Sequence, residues 1–224
     1  MKENCLLVFL SSPSADKIDA NLKEAFGVER ACQIYVDMAK QIFATANKLD
    51  RVYAVAVYEG NSAHPDLRWL DSEDPGFLTK KGSSQAEWFY SAVKWAFDAG
   101  AKRVITLSVL APAIPQDWIE KAFQMLQDKQ IVFGPTQEGE CYLLGMNSVY
   151  NVLFEDYPWT GKRFADEITE RAKKTRLSVY AMPEFYTVKD DKSYQQWTGT
   201  INKNQAEHEP SDLSIKQKNK KHKI

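Results

Sequence analysis

The sequence is short of the residues that most often carry chemistry. Among its 224 residues there are only three histidines and three cysteines. His64, His208 and His222 all lie in polar or terminal segments, which argues against a histidine-based metal site or catalytic triad. Cys5, Cys32 and Cys141 are far apart, and each sits in an apolar run. That pattern fits buried thiols in a reducing compartment, the cytoplasm, rather than a disulfide frame or a zinc motif. Charge of one sign is also missing. The formal net charge is -1, so no overall field draws the chain to nucleic acid or to an anionic membrane. Long hydrophobic runs are absent as well. None approaches the roughly 20 residues of a membrane span, and the run in MKENCLLVFLSSP is too short and too closely flanked by polar residues for a signal peptide.

What the chain does have is an ordinary apolar share, 44%, and many aromatics: six Trp, eleven Phe and ten Tyr. The length suits one large domain, or one domain plus a tail. Cys5 to Leu10 is continuously apolar, the mark of a strand buried on both faces. Apolar residues recur at three and four between about Glu29 and Leu49, which predicts an amphipathic helix. Val52 to Tyr58 reads as a second strand. Glu59 to Gly82, rich in Pro, Gly, Asp and Ser, reads as one long loop with Trp69-Leu70 as a short strand inside it. Ser83 to Ala99 is a helix stopped by Gly100, and Arg103 to Leu110 a third buried strand. A helix through Ile119, Ala122, Phe123 and Leu126 precedes two neighbouring strands at 131–133 and 141–145. A helix from about Gly161 to Arg176 and a strand over Leu177–Met182 follow. Thr187 to Trp197 is polar, with one turn of helix. Strands alternating with helices predict a three-layer α/β/α domain with a mainly parallel, mixed sheet over residues 1–197. The closely spaced pair at 131–145 requires one antiparallel strand. Residues 198–224 are polar, carry five lysines in the last nine positions, and are expected to form a disordered tail.

In an open sheet of this kind ligands bind outside the carboxyl ends of the strands. Those ends are Leu10-Ser11-Ser12-Pro13, Leu107–Leu110 and Gly134-Pro135. The last opens the stretch IVFGPTQEGECYLLGM (131–146). There a turn at Gly134-Pro135 exposes Glu138-Gly139-Glu140 between two apolar runs, a loop held by two buried strands.

The order of these motifs resembles that of the bacterial GT-A-like transferases of the selenodomain-associated type. These are glycosyltransferases of unknown specificity, similar in fold to nucleotidyltransferases such as phospholactate guanylyltransferase. The family's first motif, P-x-x-G-x-V-K-T-R-L, is matched by P-S-A-D-K-I-D-A-N-L at Pro13, Ile18 and Leu22. Pro112, Ala122-Phe123, Leu126, Gly134-Pro135, Gly139, Leu143, Gly145 and Trp159 match later motifs, so the likeness spans about residues 4 to 194. It implies a GT-A (nucleotide-diphospho-sugar transferase-like) fold. It also implies a nucleotide-binding edge at Ser11, Ser12, Pro13 and Lys17, and an acceptor-side loop at Gly134, Pro135, Gly139 and Glu140. Glu138 stands where the family places a catalytic or metal-holding aspartate.

The departures from the pattern are as specific as the matches. The motif's glycine, lysine and arginine correspond to Asp16, Asp19 and Asn21, and its strand-end aspartate to Leu110. The late D-V-D corresponds to Thr187, Val188 and Lys189. Charge-assisted contacts to phosphate contribute about 1.5–3 kcal/mol each. Losing three of them would weaken nucleotide binding by several powers of ten. The residues therefore favour a degenerate, non-catalytic binding or regulatory member that keeps the scaffold. The alternative is an active glycosyl- or nucleotidyltransferase with a nucleotide-activated donor, which would call for Mg²⁺ or Mn²⁺. The partner that the resemblance implies is a nucleotide or nucleotide sugar, bound weakly.

Overall fold

The apolar run near the start of the chain forms β1 (Asn4–Leu10), an interior strand of the sheet. In the computed structural model, which describes residues 2–59, 76–155 and 163–208 (backbone alone for 201–208), β1 pairs in parallel with two strands. These are β2 (Val52–Tyr58) on one side and β4 (Arg103–Leu107) on the other. With β3 (Gly76–Thr79), β5 (Ile131–Pro135), β6 (Cys141–Met146) and β7 (Val179–Ala181), the seven strands run in the order β3-β2-β1-β4-β6-β5-β7. β6 is antiparallel to both β4 and β5, while β7 is parallel to β5. The mixed, mainly parallel sheet read from the sequence is thus observed, with its one reversed strand inside the 131–146 stretch.

Alternation along β1 builds the two outer layers. Leu6, Val8 and Leu10 belong to one core, with Leu22, Ile34, Met38, Ile119 and Trp197; Cys5 and Leu7 belong to the other, with Ala92, Val93, Phe164 and Ile168. The first core is covered by helices α1 (Ala20–Phe26), α2 (Val28–Ala46), α4 (Gln116–Met125) and α6 (Asp191–His208). The second is covered by α3 (Gln85–Asp98) and α5 (Phe164–Lys174). α3 starts at a reciprocal cap: the Ser84 hydroxyl accepts from Glu87 N, and the Glu87 carboxylate accepts from Ser83 N. It stops where expected, since Gly100 has a φ of 98° that a side chain would resist.

Four elements differ from the sequence reading. α1 was not anticipated, because its seven residues bury only Leu22 and leave no periodicity to detect. Its start is fixed by Asp19, whose carboxylate accepts from Asn21 N at 2.9 Å and Leu22 N at 3.3 Å. β3 (Gly76–Thr79) is an edge strand parallel to β2, inside the stretch read as a loop. It is only four residues long with Phe77 exposed; Trp69-Leu70 lies outside the described residues. β4 ends at Leu107, because Ser108 N turns to Tyr142 O and Leu110 N to the Ser108 hydroxyl. α6 is a full helix from Asp191 to His208, where one turn was read, and it crosses the 197/198 boundary set for the tail. Residues 209–224 lie outside the described region.

Asp19 deserves a direct test, since it replaces a basic residue of the resembled motif. Asp19→Ala is expected to lower stability by about 1 kcal/mol through loss of the cap, measured by urea unfolding. A change below a few tenths would mean that the carboxylate serves something other than the helix.

Candidate functional site

At the carboxyl ends of β1 and β4 the sheet opens into a crevice of about 510 Å³, within the range of small-molecule sites. Residues 106–110 at the end of β4 line it, together with residues 140–144, which the antiparallel reversal of β6 brings alongside. Aromatic side chains complete it: Phe9 is stacked on Phe89 with ring centroids 4.0 Å apart, and Trp88 lies beside them. The indole of Trp88 is held by donation to Gly82 O at 2.9 Å.

The reversal is made by a short hairpin. Thr136 N donates to Glu140 O, Gly139 N to Thr136 O, and Glu140 N to the Thr136 hydroxyl. Gly139 has a φ of 81°, which explains a glycine there. The turn separates the two glutamates. Glu138 is exposed and lies outside the crevice lining, whereas Glu140 lines it. Gly134 is glycine for another reason. A Cβ built on it would lie 2.3 Å from Tyr142 Cζ, so the ring packs on its bare backbone. Pro135 is occupied structurally, its carbonyl accepting from Phe185 N at 3.1 Å.

On the β1 side, Ser11 and Lys17 line the crevice, while Ser12 and Pro13 do not. The Ser11 N–H donates to the Tyr35 hydroxyl at 2.7 Å, so it is not available to a phosphate as the sequence suggested. Burial pushes the Tyr35 phenol up to about 12. Of the nine residues singled out in sequence, the structure therefore brings Ser11, Lys17 and Glu140 together.

The crevice cations are Lys17, Lys80 and Lys189, and each comes from a different segment. Lys17 pairs with Glu59 at 3.1 Å. Lys80 lies just past β3, its ammonium 4.8 Å from the Trp88 ring centroid. Burial lowers its pKa, Glu59 opposes that shift, and Lys17 adds to it. Lys189, at the position of a lost carboxylate, pairs with Glu140. Lys80, Lys189 as a crevice residue, Trp88 and Tyr35 were not picked out from sequence. Lys80 follows an unrecognised strand, and Trp88 reads as one more apolar residue of a helix. Leu110 lines the crevice, whereas Thr187 is buried elsewhere. Cys141 also lines it, but burial pushes its thiol up to about 12, and it donates to Leu143 O at 2.8 Å.

The donor set does not fit the divalent ion that a nucleotide-sugar transferase would call for. The two carboxylates lining the crevice are Asp19 and Glu140. One caps α1 and the other holds Lys189. Among the described residues, no group of three or more His, Cys, Asp or Glu is placed to hold a metal. Nor is any described helix long and apolar enough to cross a membrane.

Comparison with known proteins agrees with this geometry at the level of fold. The chain is similar, at 23% identity and a TM-score of 0.79, to a candidate nucleotide-diphospho-sugar transferase from Desulfovibrio desulfuricans G20, covering 92% of this chain and 96% of that one. It is similar, at 9% identity and a TM-score of 0.58, to 4-diphosphocytidyl-2C-methyl-D-erythritol synthase from Anaerococcus prevotii DSM 20548, covering 89% and 96%. A third likeness is to CMP:2-keto-3-deoxy-manno-octonic acid synthetase complexed with CTP. It has 9% identity and a TM-score of 0.57 over 90% of this chain and 99% of that one. No curated protein matches. Residues 42–161, more than half of the chain, match the model of a bacterial family. The fold is thus the GT-A, nucleotide-diphospho-sugar transferase-like type, and the chain belongs to the family described as "Uncharacterized protein conserved in bacteria (DUF2064)".

Proposed function

We propose that this protein binds a nucleoside diphosphate or nucleotide sugar in the crevice and acts as a binding or regulatory member of its family, without turning the ligand over. One observation carries the reading. The crevice is open and rimmed by lysines and aromatic rings, yet both carboxylates lining it are already engaged, Asp19 by a helix end and Glu140 by Lys189. Lysines suit phosphate and aromatic faces suit a base. Neither supplies the free carboxylate that acid–base chemistry or a metal ion requires. The structural neighbours lend support, one being a nucleotide-diphospho-sugar transferase candidate and another a synthetase complexed with CTP.

The test is a calorimetric panel of nucleoside diphosphates and nucleotide sugars, followed by chromatography of each bound compound after prolonged incubation with the protein. The expected outcome is binding of at least one compound, recovered unchanged. Absence of binding across the panel would sink the reading. Consumption of a bound donor would sink its non-catalytic half and turn attention to Glu140, the carboxylate within the crevice.

A further inference from the structure

The crevice lining has an imbalance that the family resemblance does not account for. Three lysines face it against two carboxylates. Lys80 is the most telling of them. Its ammonium is half-buried over an indole face, and among the described residues it makes no salt bridge. A cation withdrawn from water without a hydrogen-bonded anion is costly, so this position favours an anion that arrives with a ligand. Lys189 is the second observation. Its side chain is only 18% exposed, and its anion is Glu140, itself only 35% exposed. A pair of this kind is held in place by mutual need. Removing either partner leaves the other charge poorly solvated, but exchanging one anion for another does not.

The place of the pair adds to this. Lys189 follows Val188, whose N–H donates to Leu110 O at 2.7 Å. The pair therefore sits beside the β4 end, where positions 110 and 189 both depart from a carboxylate in the resembled motifs. An ammonium stands where the resembled motif carries a carboxylate. It supplies positive charge to the same space with no need of an ion from solution.

We propose that Lys17, Lys80 and Lys189 together bind the phosphates of the ligand directly, without a divalent cation, and that Lys189 exchanges Glu140 for a phosphate oxygen when the ligand enters. The proposal rests on the nucleotide-binding reading above. It assigns Glu140 an unusual part: the carboxylate is a competitor for the lysine, a placeholder that keeps Lys189 oriented in the empty crevice. Removal of a competitor strengthens binding, whereas removal of a metal ligand or an acid–base group weakens it. The two roles thus predict opposite signs.

Isothermal titration with inorganic pyrophosphate and with uridine diphosphate, in buffer containing EDTA, tests this. Wild-type protein is expected to bind at least one probe in EDTA, with no gain in affinity when Mg²⁺ replaces the chelator. Lys189→Ala is expected to weaken that binding tenfold or more, and Lys17→Ala severalfold. Glu140→Gln is expected to strengthen it about threefold, an effect that vanishes in the Lys189→Ala background. Lys189→Arg, which keeps the charge, guards against a folding artefact and is expected to retain binding within a few-fold. Binding that requires Mg²⁺ or Mn²⁺ overturns this inference and leaves the nucleotide-binding reading intact. So does a Glu140→Gln variant that weakens binding as Lys189→Ala does. Failure of both probes and of the whole nucleotide panel, in any buffer, overturns the two together.

Discussion

Gly134→Ala is expected to lower the unfolding free energy by about 3 kcal/mol, the upper part of the range for overpacking a core. The added methyl would lie 2.3, 2.5 and 2.7 Å from Cζ, Cε1 and Cε2 of Tyr142, distances that cannot stand. The ring has nowhere to go. Its hydroxyl donates to Pro183 O at 3.0 Å, and it is packed against Trp118 and Phe185 at centroid distances of 6.5 and 5.6 Å. Relief must come from the backbone of β5 or β6, the two strands that carry the crevice hairpin. At roughly 2–4 °C per kcal/mol for a chain of this size, calorimetry should show a fall in melting temperature of about 6–12 °C. In a Tyr142→Leu background the additional cost of Gly134→Ala should drop below about 1 kcal/mol, since the clashing ring atoms are gone. An equal cost in both backgrounds would show that the ring is not the cause.

The second large effect is a gain. Leu110→Asp combined with Lys189→Asp is expected to create Mn²⁺ binding that the parent lacks. Position 110 lines the crevice, and the chain at 188 is hydrogen-bonded to it. The Lys189 side chain reaches Glu140. The double substitution therefore frees one carboxylate and adds two around the same space. With flexible, partly exposed ligands, affinity should fall at the loose end for oxygen sites, a dissociation constant of roughly 10⁻⁴ to 10⁻³ M. Electron paramagnetic resonance of free Mn²⁺ reads this directly. Pyrophosphate binding in EDTA should weaken in the same variant, because a phosphate-facing lysine has gone. If the parent protein already takes up Mn²⁺ as tightly as the double variant, then the engaged carboxylates described here are not a barrier to metal.

How far the sequence could be read followed the physics of each signal. The central strands were legible because a strand covered on both faces is apolar almost throughout, as Cys5–Leu10 is without a break and Val104–Leu107 is apart from Thr106. The reversed strand was legible because the five residues between 135 and 141 cannot make a parallel crossover. α1 and β3 were not, since seven and four residues with few buried positions leave no period to find. α6 was missed because it is mostly polar, although its Trp197 is 3% exposed. In the crevice, Ser11, Lys17 and Glu140 followed from strand ends and motif positions. The choice of Glu138 over Glu140 did not survive as geometry, because two residues of a hairpin separate an exposed tip from a paired base. Asp19 read as a charge set against phosphate, but a helix end unseen in the sequence engages it. Lys80 could not be found before its strand was known.

The attachment of Lys189 carries one more consequence. Its own N–H donates to the Ser193 hydroxyl at 3.1 Å, and Asp190 and Ser193 bond to each other across the same turn, so Lys189 belongs to the root of α6. About two turns along, that helix is pinned by Trp197, sunk in the core. The ammonium in the crevice thus hangs from a lever whose fulcrum is a tryptophan set in the same core as Val188. Its reach toward an anion is set by how firmly that fulcrum is seated.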